Sequence, residues 1–168
     1  FSFLYGPNKS GKSYLAYLWL QKNNAINIKK NNLFLDTKQN ILVDNLLMYD
    51  EENIFHLVNN CILNNSKILI TCDKKINDIA FKYKDLRSRL KTFSNLEINQ
   101  PDDEMLLSIL TKLLVDKQFI INSNDIFEYI LRRVDRSYFG IYNIVNKLDI
   151  LSLEKKRQLT IPLIKEIL

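Results

Sequence analysis

FSFLYGPNKSGKSYLAYLWL, residues 1–20, places a complete phosphate-binding motif between an apolar run and a helical pattern. The motif has the form G-x-x-x-x-G-K-[ST] and consists of Gly6, Pro7, Asn8, Lys9, Ser10, Gly11, Lys12 and Ser13. Residues 1–5 are predicted to form a strand and residues 14–20 a helix, which is the context that the motif requires. The alternative is a chance turn rich in Gly and Lys. Only three glycines occur in the chain and two of them occupy motif positions, which favours a nucleotide-binding loop.

The chemistry of this motif follows from its backbone and from two of its side chains. The glycines let backbone N–H groups turn toward a phosphate, and the start of the helix adds a partial positive charge. The Lys12 ammonium is predicted to reach the outer phosphates of a nucleotide, and the Ser13 hydroxyl to ligate Mg²⁺. The sequence therefore predicts a site for a nucleotide with its magnesium ion.

The bulk composition is that of an ordinary globular protein. The 168 residues suffice for one core or for a core with a small appendage, and 46% of them are hydrophobic. Cys61 and Cys72 lie in apolar runs, so we expect two buried free thiols rather than a disulfide or a metal site. No signal peptide or membrane-spanning stretch is visible, so we expect a cytoplasmic protein with no membrane partner. The first strand is already under way at Phe1, so we expect further sequence upstream.

The positive charge does not by itself indicate nucleic-acid binding. The net charge of +5 accompanies a general abundance of Asn, Lys and Ile. The basic stretch at residues 81–91 is predicted to be a solvated face of a helix. Charge alone therefore assigns no partner.

Strand and helix patterns alternate as far as about residue 100, and the remainder of the chain is helical. Predicted strands lie at residues 1–5, 25–28, 40–44, 67–71 and 96–98, and residues 51–63 repeat apolar side chains at helical spacing. In the second part, predicted helices start at residue 102, cover residues 125–134 and 137–153, and end with a short helix after residue 160. We therefore predict an α/β fold. A P-loop core with a parallel sheet spans residues 1–100, and a small all-α lid spans residues 101–168.

An acid at the end of a predicted central strand is the second element of the site. Ligands of open α/β sheets bind at the carboxyl ends of the strands, where Asp44 would lie beside the phosphate-binding loop. We expect Asp44 to hold the Mg²⁺ that Ser13 also touches, although it is otherwise an ordinary acid at a strand end. Asn45 follows where many ATPases carry a second acid. Because an amide cannot take a proton, we expect unaided hydrolysis of ATP to be slow.

The residues alone do not decide the roles of two further polar sites. Thr71 and Asp73 end the next strand, where either side chain could sense the outer phosphate or cap the following turn. Arg89 follows that strand, at the place where oligomeric ATPases direct an arginine toward a neighbour's nucleotide. A guanidinium on the γ-phosphate stabilises the charge of the transition state. Spacing alone does not distinguish this role from an ordinary surface arginine.

Four segments together resemble the Hda family, relatives of the replication initiator DnaA in the AAA+ superfamily. They are ILVDN at 41–45, LITCD at 69–73, DLRSRL at 85–90 and LTIPLIKEIL at 159–168. The resemblance implies an AAA+ core that binds ATP or ADP, and Arg89 as an arginine finger acting on the ATP of DnaA. It also implies association with the DNA polymerase III sliding clamp. DnaA initiators carry a helix-turn-helix domain after the lid, and because this chain ends at Leu168, sequence-specific DNA binding is not expected.

The chain departs from the family pattern in three places. The lid position that usually carries a phosphate-binding arginine aligns with Phe139, and Arg136 lies one helical turn earlier. Only about thirty residues separate Ser13 from Asp44, which predicts the loss of a helix. The clamp-binding motif of the family precedes the first strand, so a clamp contact would use a segment upstream of Phe1. Residues 158–163 resemble such a motif, but they fall where the family packs its last lid helix.

Other functions remain open at this point. A nucleotide-gated adaptor or helicase loader of the DnaA-like group would share the same motifs. An autonomous P-loop kinase fits the length and the loop, but no cluster of arginines for an acceptor substrate is visible between the strands. The sequence leaves the oligomeric state undetermined and is compatible with a homo-oligomer.

Overall fold

A computed structural model describes residues 1–28, 38–121, 123 and 125–168. Its strands are β1 (Ser2–Tyr5), β2 (Ile26–Asn27), β3 (Ile41–Val43), β4 (Ile68–Cys72) and β5 (Ser94–Glu97). Its helices are α1 (Lys12–Lys22), α2 (Glu51–Leu63), α3 (Lys84–Lys91), α4 (Asp103–Asp116), α5 (Asp125–Leu131), α6 (Tyr138–Lys155) and α7 (Ile161–Lys165). The α/β fold with a helical second part is as predicted.

The strands form one parallel sheet in the order β2-β3-β4-β1-β5. In this register Tyr5 lies opposite Cys72, and Val43 lies opposite Ile70. The carboxyl ends of β1, β3 and β4 therefore meet at one edge. This edge brings Gly6, Asp44 and the end of β4 close together.

Both faces of the sheet are covered, and the side chains of each strand alternate between the two layers. On one face Phe3, Val43 and Ile70 join the buried residues of α2 and α3. On the other face Leu4, Leu42 and Leu69 pack with Ala16 of α1. Burial on both faces explains why these strands read as continuous apolar runs.

The chain divides into two compact units. One consists of Phe1–Gly6 and Ser10–Asn99, and the other of Pro7–Lys9 and Gln100–Leu168. The second unit has its own core, which includes Leu106, Leu110, Ile141, Ile144 and Leu148. Two of its helices, α4 and α6, begin at side-chain caps: Asp102 accepts the Met105 N–H at 2.8 Å, and Ser137 accepts the Gly140 N–H at 3.0 Å. Caps of this kind satisfy backbone donors that a helix leaves unpaired.

Some bounds differ from the predictions. The strand predicted at residues 96–98 is β5, which begins at Ser94 and has four exposed residues. The helix predicted to continue to Val134 ends at Leu131. Within the basic stretch 81–91, the helix α3 is amphipathic, with Leu86 and Leu90 buried. The predicted loss of a helix between Ser13 and Asp44 involves residues 29–37, which lie outside the described residues.

Two other predictions concern burial. Cys61 and Cys72 are buried free thiols, as expected. In the part of the chain that the structure describes, every helix is too short or too polar to cross a bilayer.

Candidate functional site

The phosphate-binding motif depends on backbone that only glycine accommodates. A Cβ at Gly6 would lie 2.7 Å from the Ile98 carbonyl oxygen, closer than real Cβ atoms approach. That oxygen is held there because the Ile98 N–H donates to the Tyr5 carbonyl at 2.8 Å. Gly11 has a φ of 91°, in the left-handed region that favours glycine. The two glycines thus let the chain turn tightly between β1 and α1.

Lys12 begins α1, and its ammonium is held at the end of β1. Its Nζ donates to the Gly6 carbonyl at 2.9 Å and forms an ion pair with Asp73 Oδ1 at 2.7 Å. Lys12 is 8% exposed. A nearly buried ammonium requires paired acceptors, and the Gly6 carbonyl and the Asp73 carboxylate supply them. Asp73 therefore lies beside the lysine that is expected to bind the outer phosphates.

Asp44 forms a second cluster next to the loop. Its Oδ1 accepts the Ser13 hydroxyl at 3.2 Å and the Thr71 hydroxyl at 2.6 Å. The Thr71 Oγ1 also accepts the Asn45 N–H at 2.8 Å. These contacts join the ends of β3 and β4 to the start of α1. They fix the Asp44 carboxylate and the Ser13 hydroxyl as adjacent oxygen ligands.

The ligand set of this cluster fits magnesium. Mg²⁺ prefers oxygen ligands and keeps several waters, so one carboxylate and one hydroxyl beside a phosphate suffice. The described residues contain no group of three or more His, Cys, Asp or Glu side chains that would hold a metal by themselves. A magnesium ion here would therefore be bound jointly by protein and nucleotide.

The backbone after Asp44 is unusual. Asn45 has a φ of 62° and a ψ of 83°, a left-handed conformation that asparagine adopts more readily than most residues. Its N–H is directed at Thr71, as described. Nearby, burial and the Asp44 carboxylate raise the pKa of Tyr49, whose hydroxyl donates to the Ile28 carbonyl at 2.6 Å. These contacts hold the backbone that follows Asp44 in place.

The remaining loop residues have separate surroundings. The Ser10 Oγ is buried and lacks a hydrogen-bond partner within the described structure. Pro7, Asn8 and Lys9 belong to the second compact unit, in which the Lys9 ammonium lies 4.3 Å from the centroid of the Tyr142 ring. The predicted loop residues are therefore divided between the two units.

Arg89 lies outside the Lys12 and Asp44 clusters. It is exposed on α3, and its guanidinium carbon lies 5.4 Å from the centroid of the Phe55 ring on α2. Among the described residues, no carboxylate forms an ion pair with it.

The two lid positions considered for phosphate binding differ in their surroundings. Arg136 forms an ion pair with Asp103 at the start of α4. Phe139, at the aligned position, is 51% exposed. Within its own unit, Arg136 is therefore already engaged by a carboxylate.

The sequence predicts that Ser13 and Asp44 lie close together, but three other contacts were not predicted. It did not anticipate that Thr71 would bridge Asp44 and Asn45, that Ile98 would approach Gly6, or that Phe55 would lie under Arg89. The first was detectable in part, because a hydroxyl inside an otherwise apolar strand requires a hydrogen-bond partner. The other two depend on tertiary packing and leave no signal in the pattern.

Comparison with known proteins gives matches to both parts of the chain. Residues 103–168 match the family model described as Hda, lid domain. The chromosomal replication initiator protein DnaA of Buchnera aphidicola subsp. Cinara cedri is 26% identical over 197 aligned positions, covering 99% of this chain and 45% of that protein. The chain therefore spans less than half the length of that relative.

Solved structures share the fold. Domain III of DnaA from Thermotoga maritima superposes with a TM-score of 0.79 at 16% identity, covering 99% of this chain and 82% of that one. AMPPCP-bound DnaA from Aquifex aeolicus gives a TM-score of 0.67 at 16% identity, covering 90% of this chain and 56% of that one. At such identities the likeness shows the AAA+ fold.

Proposed function

The chain belongs to the Hda- and DnaA-related family of AAA+ proteins, and from this premise we propose that it regulates the initiation of chromosome replication. It binds ATP or ADP with Mg²⁺ and presents Arg89 to ATP held by a DnaA partner. That partner then hydrolyses its ATP and stops initiating. The sliding clamp is the second partner on this proposal.

The residues of the core are assigned roles by their contacts. Backbone N–H groups of residues 8–13 surround the phosphates, and Lys12 neutralises their outer oxygens. Ser13 and Asp44 would hold a magnesium ion, which would supply positive charge beside the phosphates. Asp73 shares Lys12 with the nucleotide and reports whether a γ-phosphate is present. We assign this machinery to residues 1–100 and the lid to residues 101–168.

Nucleotide turnover by the chain alone is slow on this proposal. The position after Asp44 carries an amide, Asn45, and its backbone N–H is engaged by Thr71 at 2.8 Å. An amide does not accept a proton from water, so general-base catalysis is lacking at this position. The chain therefore acts mainly on a partner's nucleotide.

The observation that carries the proposal is the exposure of the Arg89 side chain and its lack of an ion pair. Its side chain is exposed, its guanidinium carbon lies 5.4 Å from the centroid of the Phe55 ring, and it forms no ion pair with any described carboxylate. A guanidinium in this state keeps its N–H donors available for a phosphate from another molecule. Stabilisation of this kind by an arginine supplied in trans is worth about 10³–10⁵ in rate in nucleotide hydrolases.

The test measures hydrolysis of ATP bound to DnaA, with clamp loaded on DNA, as this protein is added. We expect hydrolysis to rise with the wild type and to stay at the unstimulated rate with Arg89→Ala. Lys91→Ala, on the same helix, removes one exposed positive charge and serves as the matched control. Fluorescent-nucleotide binding should be the same for all three proteins. Equal stimulation by wild type and Arg89→Ala would remove Arg89 from the mechanism.

An adaptor role is the alternative within the same family. It shares the nucleotide site but needs no arginine in trans. Recovery of a replicative helicase instead of DnaA and the clamp in a pull-down with this protein would favour it. The Arg89→Ala variant would then behave as the wild type in that pull-down.

A further inference from the structure

We propose that Phe55 is a positioning residue for Arg89, so that its ring holds the guanidinium in the orientation that a partner's triphosphate requires. The inference rests on the proposed function of Arg89. It adds a residue on a different helix, 34 positions away in the chain, to the trans-acting site.

The starts of α2 and α3 are tied together by one carboxylate. Glu51, at the first position of α2, accepts the Lys82 N–H at 3.1 Å and the Tyr83 N–H at 3.0 Å. The Tyr83 hydroxyl in turn donates to Glu52 at 3.4 Å. Since Tyr83 immediately precedes α3, these bonds fix where α3 begins relative to α2.

Further along the two helices, the same geometry brings Phe55 and Arg89 together. Phe55 lies four residues after Glu51, one turn along α2, and is partly buried against the core. Its ring also meets the His56 ring at a centroid distance of 5.8 Å. Leu86 and Leu90 bury one face of α3, and Arg89 lies exposed at the margin of that face, beside the Phe55 ring.

The ring restricts the guanidinium without consuming its donors. A guanidinium within about 6 Å of a ring centroid is attracted to the ring face, and the observed separation is 5.4 Å. A guanidinium that meets a ring by its flat face keeps its in-plane N–H donors for a phosphate. Phe55 thus limits the rotamers of a long side chain while keeping its hydrogen-bonding edge available.

On the same helix, an acid that could compete with the Phe55 ring for Arg89 forms no ion pair with it. Asp85 lies four residues before Arg89, the spacing at which acid–arginine pairs form on helices. The ion pairs among the described residues include an arginine and a glutamate at this spacing, Arg132 with Glu128, but none with Arg89. Arg89 therefore contacts the Phe55 ring and forms no ion pair with Asp85.

The experiment uses the same stimulated-hydrolysis assay with variants at position 55. Phe55→Leu keeps an apolar side chain but removes the ring, and Phe55→Trp enlarges the ring face. We expect Phe55→Leu to lower the maximal stimulated rate two- to fivefold, the range for an exposed cation–π contact. We expect Phe55→Trp to retain the wild-type rate or exceed it. Tyr17→Leu removes an exposed aromatic ring from α1 and is the matched control.

Two further readouts separate positioning from a structural role. The concentration of protein giving half-maximal stimulation should not change in Phe55→Leu, because the ring acts on Arg89 and not on association. Thermal unfolding followed by circular dichroism checks that Phe55→Leu is folded.

The outcomes distinguish the inference from the function on which it rests. Loss of stimulation in Arg89→Ala together with wild-type stimulation in Phe55→Leu would overturn the role of Phe55 and leave that of Arg89. Wild-type stimulation by Arg89→Ala itself would overturn the proposed function and the inference together.

Discussion

Replacement of Thr71 by Val tests the cluster around Asp44 most directly. Thr71 is 1% exposed, and its hydroxyl makes two hydrogen bonds, one to the Asp44 carboxylate at 2.6 Å and one from the Asn45 N–H at 2.8 Å. Val has nearly the same shape as Thr, so the substitution removes both bonds while leaving the packing volume almost unchanged. The loss is therefore one of hydrogen bonding.

The magnitude follows from the two bonds. A hydrogen bond to a charged group contributes about 1.5–3 kcal/mol, and an unsatisfied buried N–H costs about 1–3 kcal/mol. Asp44 and Asn45 are only partly buried, so water recovers part of each loss, and the added methyl group offsets about 0.8 kcal/mol. We expect the free energy of unfolding to fall by roughly 2–4 kcal/mol.

The assay is urea unfolding followed by far-ultraviolet circular dichroism, with Thr71→Ser as the control. Ser keeps both hydrogen bonds and loses one methyl group, which costs about 1 kcal/mol. We expect Val to be less stable than Ser, with an unchanged denaturant slope. Magnesium-dependent binding of a fluorescent nucleotide should weaken in Val and persist in Ser. If Val were as stable as Ser, the hydroxyl would not hold the Asp44 cluster together.

Two more predictions concern buried positions. Burial raises the pKa of Cys61 to about 11 and also raises that of Cys72, so both thiols should resist a thiol-specific dye until the protein is unfolded in urea. For the same reason stability should fall as the pH rises from about 8.5, the pKa of an exposed thiol, toward 11, which urea titrations at pH 8 and pH 10 would detect. Rapid labelling of the folded protein would contradict this burial. Gly140→Ala should destabilise the lid by about 1–3 kcal/mol because its Cβ would lie 2.2 Å from the Asp135 carbonyl oxygen, and an unchanged melting temperature would show that this turn relaxes freely.

The sequence predicts the elements with strong periodicity and misplaces the ends of weaker ones. The helix predicted at residues 51–63 is α2, whose apolar positions repeat at helical spacing and whose start is capped by Asp50. The edge strand β5 was predicted to begin two residues late, because its four residues are exposed and follow no apolar pattern. Regular burial is visible in a sequence, whereas pairing at the edge of a sheet is decided by backbone contacts.

The site is predictable where chain topology dictates it. Ser13 and Asp44 were expected to meet because parallel strands end at a common edge, and their oxygens lie 3.2 Å apart. Their role in holding Mg²⁺, like that of Arg89, stays a prediction. The proximity of Arg89 to the Phe55 ring was not foreseen, because it depends on the packing of two helices. Side-chain pairs between distant elements have no local signature.

The hydroxyl of Thr71 has a consequence for how the sheet is assembled. All five residues of β4 are buried, so apolar burial changes little if the strand slides by one residue against its neighbours. Such a slip would place Ile70 or Cys72 beside Asp44 and leave the carboxylate facing a group that cannot donate a comparable hydrogen bond. The native alignment is thus distinguished from its shifted competitors by polar chemistry at one end of the strand. A cluster that we assign to ion binding also specifies strand register during folding.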